Sequence, residues 1–326
     1  MALGFFKNKK ILVTGGTGLI GIPLVKMLIE REGAQVRVAS LDDKSRCHPQ
    51  AEFMRLNLTE ASNCLKACEG QEMVFHLAGI KGSPAMTAKR PASFFYPTIA
   101  FNTHMLEAAR IAGVKRYLFT SSVGVYGPSE VFHEDDVWQT FPSPNDRFAG
   151  WAKRMGELQL EAYRIEYGWE ELRIVRPANV YGPYDNFDPA NAMVIPSLIR
   201  RAMDGENPLV CWGDGSPIRD FIFSEDAAEG MLRVMLSNET RPVNLGSGQG
   251  VTIKQLAEAV AQEMGGIKID WDITKPAGDK KRLMDMTRAH AIGVESRTTL
   301  NEGIRQTMQW YRDNKSEIDK RFNIFQ

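Results

Sequence analysis

The stretch Ile11-Leu12-Val13-Thr14-Gly15-Gly16-Thr17-Gly18-Leu19-Ile20-Gly21 decides the fold of this chain. An apolar strand pattern runs through a glycine-rich turn into an apolar spacing typical of a helix. Gly15 permits the tight turn, Gly18 lets backbone amides approach a phosphate, and Gly21 lets the helix lie close to the strand. Because a helix N-terminus attracts negative charge, the sequence predicts that this turn holds the pyrophosphate of a dinucleotide.

Strand and helix patterns alternate along the first half of the chain. The strand patterns cover residues 11–14, 36–40, 73–77, 117–121 and 172–175. The helical patterns cover residues 20–31, 61–68, 101–112 and 151–167. This alternation predicts an α/β fold, a Rossmann-type doubly wound parallel sheet with helices on both faces.

The pattern loosens after Pro177 into loops rich in Gly, Pro, Asn and Asp, with helical patterns at 195–203, 225–236, 253–264 and 302–314. We therefore expect a dinucleotide-binding Rossmann domain over residues 1–176. Residues 177–326 are expected to form a smaller C-terminal substrate lobe, interleaved with the last strands of the sheet.

Size and composition narrow the class of protein. The chain has 326 residues and is 43% hydrophobic, which is enough to bury a large core. Lys plus Arg and Asp plus Glu both number 40, so the net charge gives no reason to expect a nucleic-acid partner. No apolar run is long enough to cross a membrane, and residues 1–7 do not form a secretory signal, so we expect a cytoplasmic protein.

The four cysteines and five histidines show no metal-ligand spacing, so no metal site is expected. Cys64 and Cys68 fall one helical turn apart beside apolar residues. This arrangement is typical of reduced, packed thiols.

Two further motifs lie where ligands bind in such a sheet. Thr120-Ser121-Ser122-Val123-Gly124-Val125-Tyr126-Gly127 follows a strand pattern, so Ser122 lies outside a strand's carboxyl end, within reach of a substrate oxygen. Arg147-Phe148-Ala149-Gly150-Trp151-Ala152-Lys153-Arg154-Met155-Gly156-Glu157 begins a long amphipathic helix. Taken alone, a serine pair after a strand is also typical of an ordinary turn.

With the glycine-rich turn and Arg176-Pro177-Ala178-Asn179-Val180-Tyr181-Gly182-Pro183, these motifs resemble the extended short-chain dehydrogenase/reductase family, the NAD-dependent epimerases and dehydratases. The resemblance covers nearly the whole chain. It implies an enzyme that epimerises, dehydrates, oxidises or reduces a nucleotide sugar. It also implies a Ser/Thr, Tyr, Lys triad in which the tyrosine precedes the lysine by four positions.

Ser122 and Lys153 match this triad, but Ala149 occupies the tyrosine position. In the family the tyrosine hydroxyl exchanges a proton with the sugar oxygen, and the lysine lowers the pKa of that hydroxyl. Alanine can do neither, so we interpret Ala149 as a Tyr-to-Ala replacement that inactivates the enzyme. The alternative is a natural member that uses Tyr126 or Tyr184, or one that binds without catalysis.

Downstream segments at 180–189, 194–196, 212–221 and 283–288 are similar to the members that form GDP-fucose and to those that 3,5-epimerise GDP-mannose. In the GDP-fucose branch a cysteine and a histidine exchange the epimerisation protons, and here Gly124 and Met193 stand in their places. The 4,6-dehydratases carry an Asp-Glu pair where this chain has Val123 and Gly124. These differences disfavour both reactions and leave redox chemistry at one carbon, by resemblance C4, as an epimerase or an oxidoreductase.

The resemblance implies a set of cofactor contacts. They are Gly15, Thr17, Gly18, Leu19, Ile20, Gly21, Asp42, Asn57, Leu58, Leu77, Ala78, Gly79, Lys153, Pro177, Asn179 and Val180. An acidic residue beyond the second strand usually holds the ribose of NAD, and a basic one accommodates the phosphate of NADP. Asp42 favours NAD, whereas Lys44 and Arg46 leave NADP open.

The substrate contacts expected by resemblance are Lys81, Ser83, Ser122, Val123, Asn179, Val194, Trp212, Arg219 and Arg282. Asn179 and Arg219 are expected to reach the diphosphate, since a guanidinium forms paired bonds to phosphate oxygens. The similarity favours a GDP-sugar. It also implies a homodimer formed through the helices at 101–112 and 151–167. A hypothesis of another class is a dinucleotide-binding protein that has lost catalysis.

Overall fold

The structure is a computed structural model that describes residues 4–80, 82, 84–275, 278–315 and 322. Two of the expected substrate contacts, Lys81 and Ser83, lie outside the described residues.

The described strands are β1 (Lys10–Thr14), β2 (Gln35–Ser40), β3 (Glu52–Arg55), β4 (Met73–His76), β5 (Arg116–Thr120), β6 (Val131–Phe132), β7 (Leu172–Pro177), β8 (Asn179–Tyr181), β9 (Leu209–Trp212), β10 (Ile218–Phe223), β11 (Val243–Leu245), β12 (Gly250–Thr252), β13 (Ile269–Asp272) and β14 (Lys281–Met284). The described helices are α1 (Gly21–Lys26), α2 (Ala61–Cys68), α3 (Pro84–Lys89), α4 (Pro91–Ile111), α5 (Arg147–Tyr167), α6 (Val194–Met203), α7 (Ser224–Leu236), α8 (Ile253–Glu263), α9 (Thr287–Ala291) and α10 (Leu300–Asp313). A π-helical turn, Met27–Arg31, continues α1.

Seven parallel strands form the main sheet, in the spatial order β3-β2-β1-β4-β5-β7-β11. The strand order reverses between β1 and β4, so a crevice opens there outside the carboxyl ends of the strands. This arrangement confirms the predicted doubly wound parallel sheet. The sequence pattern missed β3, an edge strand whose residues are all at least partly exposed and so carry no apolar run.

Two apolar cores cover the faces of the sheet. On one face α1 and α7 pack against residues such as Val13, Val38 and Val175. On the other face α2, α4 and α5 pack around Phe119 and Tyr117. Parallel strands buried on both faces are typical of this class of fold.

The second half of the chain is more regular than its loose pattern suggested. It contributes β11 to the main sheet, and β8, β12 and β14 lie around β10, with β6 at the edge of β14. A third core joins α6, α8 and α10 to a small sheet of β9 and β13. The helical patterns expected after Pro177 correspond to α6, α7, α8 and α10, but the sequence did not locate the strands, which are only three to six residues long.

A buried ion pair ties α5 to the main sheet. Glu157 on α5 accepts two hydrogen bonds from Arg176 on β7, at 2.9 and 2.7 Å. Ser121, directly after β5, donates its hydroxyl to the same carboxylate at 2.5 Å. Both charged side chains are almost completely buried, so each depends on the other for compensation.

Glu157→Gln removes the charge that balances Arg176, and we expect the free energy of unfolding to fall by about 3–5 kcal/mol. Urea unfolding followed by circular dichroism measures the loss. As a control, Glu258→Gln breaks the Lys254–Glu258 pair, whose side chains are 61% and 53% exposed, and should cost less than about 0.5 kcal/mol. Equal losses in the two variants would contradict the structural role given to Glu157.

Candidate active site

The glycine-rich turn between β1 and α1 lies directly against the end of β4. Gly15 has φ +67°, and a Cβ there would lie 3.1 Å from the Ala78 backbone. A Cβ on Gly21 would lie 2.2 Å from the Gly15 carbonyl oxygen. The turn therefore leaves no room for side chains, and its backbone can approach a pyrophosphate as the predicted cofactor requires.

A chain of hydrogen bonds holds the floor of this crevice. The Ala78 amide donates to Thr14 Oγ1 at 3.0 Å, and Thr14 Oγ1 lies 2.8 Å from Nδ1 of buried His76. The other ring nitrogen of His76 lies 3.0 Å from Asn102 Oδ1 on α4. Burial and the nearby Lys153 lower the pKa of His76 to about 3, so the imidazole is neutral.

The far end of the crevice carries the residues expected to distinguish NAD from NADP. Asp42 is buried and accepts a hydrogen bond from Thr17 Oγ1 at 2.7 Å. The Arg46 guanidinium lies 3.9 Å from the same carboxylate. The other carboxylate oxygen accepts the Phe322 amide at 2.8 Å. An acidic and a basic group thus stand side by side here.

Lys153 lies at the opposite end, beneath the carboxyl end of β5. Its ammonium donates to the Thr120 carbonyl oxygen at 2.8 Å and lies 5.1 Å from the Phe119 ring centre. Burial lowers the pKa of Lys153 to about 8, although nearby Glu157 opposes the shift. Burial therefore brings the titration of this ammonium closer to neutral pH than that of an exposed lysine.

Ser122 follows β5 and caps the short helical turn Val123–Val125, where its Oγ accepts the Gly124 amide at 3.1 Å. This turn packs tightly on α5, because a Cβ on Gly150 would lie 2.3 Å from the Gly124 carbonyl oxygen. Arg154 stabilises the same turn, because its guanidinium donates two hydrogen bonds to the Val125 carbonyl oxygen, at 2.9 and 2.6 Å. Ser122 and Lys153 are thus fixed on one side of the crevice.

Ala149 is a partly exposed residue in the first turn of α5, one helical turn before Lys153. The two alternative tyrosines lie elsewhere. Tyr126 is buried, and its hydroxyl donates to Asn244 Oδ1 at 2.5 Å and accepts from Arg176. These bonds disfavour the alternative in which Tyr126 replaces the phenol, because its hydroxyl is already bonded within the core. The ring centre of Tyr184 lies 4.9 Å from that of Trp310. The use of Tyr184 in place of the phenol stays a prediction.

Arg219, an expected diphosphate ligand, and Arg282, an expected substrate contact, are each the second residue of neighbouring strands and are in register with one another. Arg219 donates to the Asp279 carbonyl oxygen at 2.7 Å, and burial lowers its pKa, as does the charge of Arg282. Arg282 lies 2.8 Å from Asp146. Asn179 uses its amide nitrogen within the fold and donates to the Asp220 carbonyl oxygen at 2.9 Å.

The remaining expected contacts occupy varied positions. Trp212 ends β9 and is 62% exposed, which excludes a core role. Val194 is the first residue of α6. Asn57 Oδ1 accepts the Thr59 amide at 3.1 Å, and Leu58 is buried. Of the cofactor contacts, Leu77 and Gly79 flank Ala78, and Pro177 and Val180 lie at the end of β7 and in β8.

Two kinds of feature are missing from the described residues. None of the described His, Cys, Asp and Glu side chains form a group of three or more suited to a metal ion. In the part of the chain that the structure describes, no helix combines the length and apolar character needed to span a membrane.

Comparison with known proteins decides the family. Residues 11–246 match the family described as "NAD dependent epimerase/dehydratase family". This chain belongs to that family. The assignment confirms the family resemblance and the expected dependence on a nicotinamide dinucleotide.

Relatives in this family act on nucleotide sugars. GDP-L-fucose synthase 1 of Arabidopsis thaliana is 31% identical over 319 residues, 94% of each chain. GDP-mannose 3,5-epimerase of Arabidopsis thaliana is 31% identical and covers 96% of this chain and 84% of its own. The UDP-glucose 4-epimerase of Thermotoga maritima, solved with UDP-glucose, is 29% identical with a TM-score of 0.80, covering 94% of this chain and 99% of its own.

Sequence reasoning missed several residues that shape this epimerase/dehydratase site. Glu157 lies one helical turn after Lys153, and that spacing was a usable signal. Asp146 and His76 gave no signal in the sequence, because their partners Arg282 and Thr14 lie far away along the chain.

Lys153→Met tests the burial of the ammonium. The unfolded chain keeps this proton up to a pKa of 10.5, whereas the folded chain loses it at about 8. Between these values the unfolded state binds more protons, so the free energy of unfolding rises with pH. We expect the stability of the unchanged protein relative to Lys153→Met to increase by about 1–3 kcal/mol between pH 7 and pH 10.

Urea unfolding across this pH range measures the difference. Lys254→Met, at an exposed position, is the control and should show no such pH dependence. A difference between the unchanged protein and Lys153→Met that stays constant with pH would count against a buried ammonium.

Proposed function

We propose that this chain binds NAD or NADP and acts on a nucleotide sugar as a C4 epimerase or C4 oxidoreductase, and that Ala149 impairs its turnover. The proposal is supported chiefly by one observation. Lys153 bonds to the carbonyl oxygen of Thr120, two residues before Ser122, so both remaining triad groups stand at the end of β5. That end faces the crevice beside the glycine-rich turn.

Each residue has a distinct role in this proposal. The nicotinamide, when bound, supplies or accepts a hydride. The turn from Gly15 to Gly21 holds the pyrophosphate at the start of α1, and Lys153 holds the ribose next to the nicotinamide. Ser122 donates a hydrogen bond from its hydroxyl to the sugar oxygen at C4, since its Oγ already accepts the Gly124 amide.

NAD is the favoured cofactor because buried Asp42 presents a carboxylate where a ribose hydroxyl can donate to it. Arg46, beside this carboxylate, keeps NADP as the alternative. The substrate lobe is proposed to comprise residues 177–326, with Arg219 and Arg282 as the anion ligands for the diphosphate. The GDP-specific relatives favour a GDP-sugar. A cytoplasmic location remains a prediction.

A GDP-sugar 3,5-epimerase/reductase is the second candidate, favoured by the two GDP-specific relatives. Gly124 and Met193 argue against it, because neither side chain can exchange a proton with the sugar carbons. The 4,6-dehydratase reaction is also disfavoured, because Val123 and Gly124 stand where the dehydratases carry an Asp-Glu pair. A protein that binds dinucleotide without catalysis is the remaining alternative.

Ala149→Tyr supplies the missing phenol one turn before Lys153, and we expect turnover to rise by at least about 100-fold, within the range that a general acid–base group contributes. Ala149→Phe supplies the same ring without the hydroxyl and should stay at the level of the unchanged chain. The measurement is conversion of GDP- and UDP-sugars with NAD and with NADP, followed by nicotinamide absorbance and product analysis. Equal activities of the two variants would contradict the proposed role of position 149.

We also infer a homodimer built on α4 and α5. These helices expose the large apolar side chains Tyr96, Ile111, Met155, Leu158, Ile165 and Tyr167. An exposed apolar face on two adjacent helices is typical of a surface that a partner covers. A second copy of this chain would bring four such helices together.

Light scattering after size exclusion tests the dimer. The double variant Leu158→Glu, Ile165→Glu places charges on the exposed face of α5, so we expect a monomer at micromolar concentration. Ile273→Glu replaces an equally exposed apolar residue, 76% accessible in the second lobe, and should leave the dimer intact. A monomeric unchanged protein would contradict the inference.

A further inference from the structure

Asp146 occupies the position directly before α5 but does not cap the helix. An aspartate there usually accepts a hydrogen bond from an amide of the first helical turn. The side chain of Asp146 makes no such bond and turns instead toward the crevice, where it lies 2.8 Å from the Arg282 guanidinium. Its orientation therefore follows from its surroundings and not from local helix preference.

The side chains of Asp146 and Ser122 both lie next to Gly124. A Cβ placed on Gly124 would lie 3.4 Å from Asp146 Cβ, 3.6 Å from its carboxyl carbon and 3.5 Å from Ser122 Oγ. These are ordinary contact distances, so Asp146 and Ser122 both border the point from which a side chain at residue 124 would extend.

The same side chain lies close to the position of the missing phenol. Asp146 precedes Ala149 by three residues at the start of one helix, so both belong to the same turn. With alanine at position 149, the carboxylate of Asp146 is a proton-accepting group that the helix presents beside Ser122. The 2.8 Å contact with the Arg282 guanidinium holds this side chain in place.

We propose that Asp146 is a catalytic residue of this chain and accepts the hydroxyl proton of the sugar in place of the absent phenol. The proposal rests on the proposed function. In the oxidising direction the sugar carbinol loses its O–H proton to Asp146 Oδ and its C–H hydride to the oxidised nicotinamide, and the C=O bond forms. In the reducing direction the same proton returns from Asp146 to the oxygen as the hydride returns to carbon.

Binding of the nucleotide sugar makes the carboxylate available. Arg282 is adjacent to Arg219, and both are expected to turn to the diphosphate. A diphosphate on these guanidiniums competes with the Asp146–Arg282 pair. The carboxylate then keeps its position at the start of α5 while losing a bond to the second lobe, which leaves an oxygen for the sugar hydroxyl.

The test compares Asp146→Asn with Asp279→Asn in the chain as it stands. Asp279 Oδ2 lies 3.7 Å from the same Arg282 guanidinium, so both substitutions remove a negative charge next to Arg282. Of the two carboxylate residues, Asp146 is the one whose atoms are among those nearest to Gly124. Hydride transfer is measured in single turnovers with excess enzyme, and nucleotide-sugar affinity is measured by calorimetry with the oxidised dinucleotide present.

We expect Asp146→Asn to lower the single-turnover rate by about 10- to 100-fold, the contribution of one general base. Its nucleotide-sugar Kd should stay within about threefold of the unchanged chain, because the diphosphate contacts remain. Asp279→Asn should change neither quantity by more than about threefold. In the Ala149→Tyr background, the phenol takes over the proton, so adding Asp146→Asn should cost less than about threefold.

Three results would overturn the proposal: equal losses in Asp146→Asn and Asp279→Asn, an undiminished loss from Asp146→Asn in the Ala149→Tyr background, or no hydride transfer in a chain that binds both ligands. Any of these three results is compatible with the proposed function, provided that the Ala149→Tyr variant turns over a nucleotide sugar. If neither the unchanged chain nor Ala149→Tyr binds a dinucleotide, the proposed function fails together with this inference.

Discussion

The buried carboxylate of Glu157 fixes the geometry on which the site depends. It joins α5 to Arg176 on β7 and to Ser121 after β5. A buried charge without its partner costs several kcal/mol, so α5 cannot shift along the sheet without losing this compensation. Because α5 carries Lys153 and β5 leads into Ser122, the ion pair sets the distance between these two proposed site residues.

The first half of the fold could be predicted from the sequence because its signals are local, as in the strand, turn and helix around Gly15. The edge strand β3 and the short strands of the second lobe could not, because only pairing with distant strands stabilises them. Some residues of the candidate site could likewise be predicted from the sequence, and others could not. Ser122 and Lys153 stand in motifs of defined spacing, and the structure brings them together. Tyr126 also stands in a motif, yet its hydroxyl serves a buried network, since spacing does not distinguish a hydroxyl in the crevice from one in the core.

In the proposed function, Ala149 affects the proton transfer and not the binding of ligands. The glycine-rich turn, the hydrogen-bonded floor beneath Ala78 and the pair of arginines in the second lobe are all present without the phenol. Lys153 keeps its lowered pKa, since that shift arises from burial and not from a tyrosine partner. Under the proposed function, an alanine at position 149 therefore changes the proton transfer while leaving the proposed ligand-binding surfaces as they are.

The most direct measurement is a crystal structure of the unchanged chain with NAD and a GDP- or UDP-sugar. The account predicts a pyrophosphate over the turn from Gly15 to Gly21 and a nicotinamide ring between Lys153 and Ser122. The sugar C4 should lie within hydride-transfer distance of the ring, and its oxygen should lie between Ser122 and Asp146. A dinucleotide bound elsewhere, or a nicotinamide ring turned away from Ser122, would contradict it.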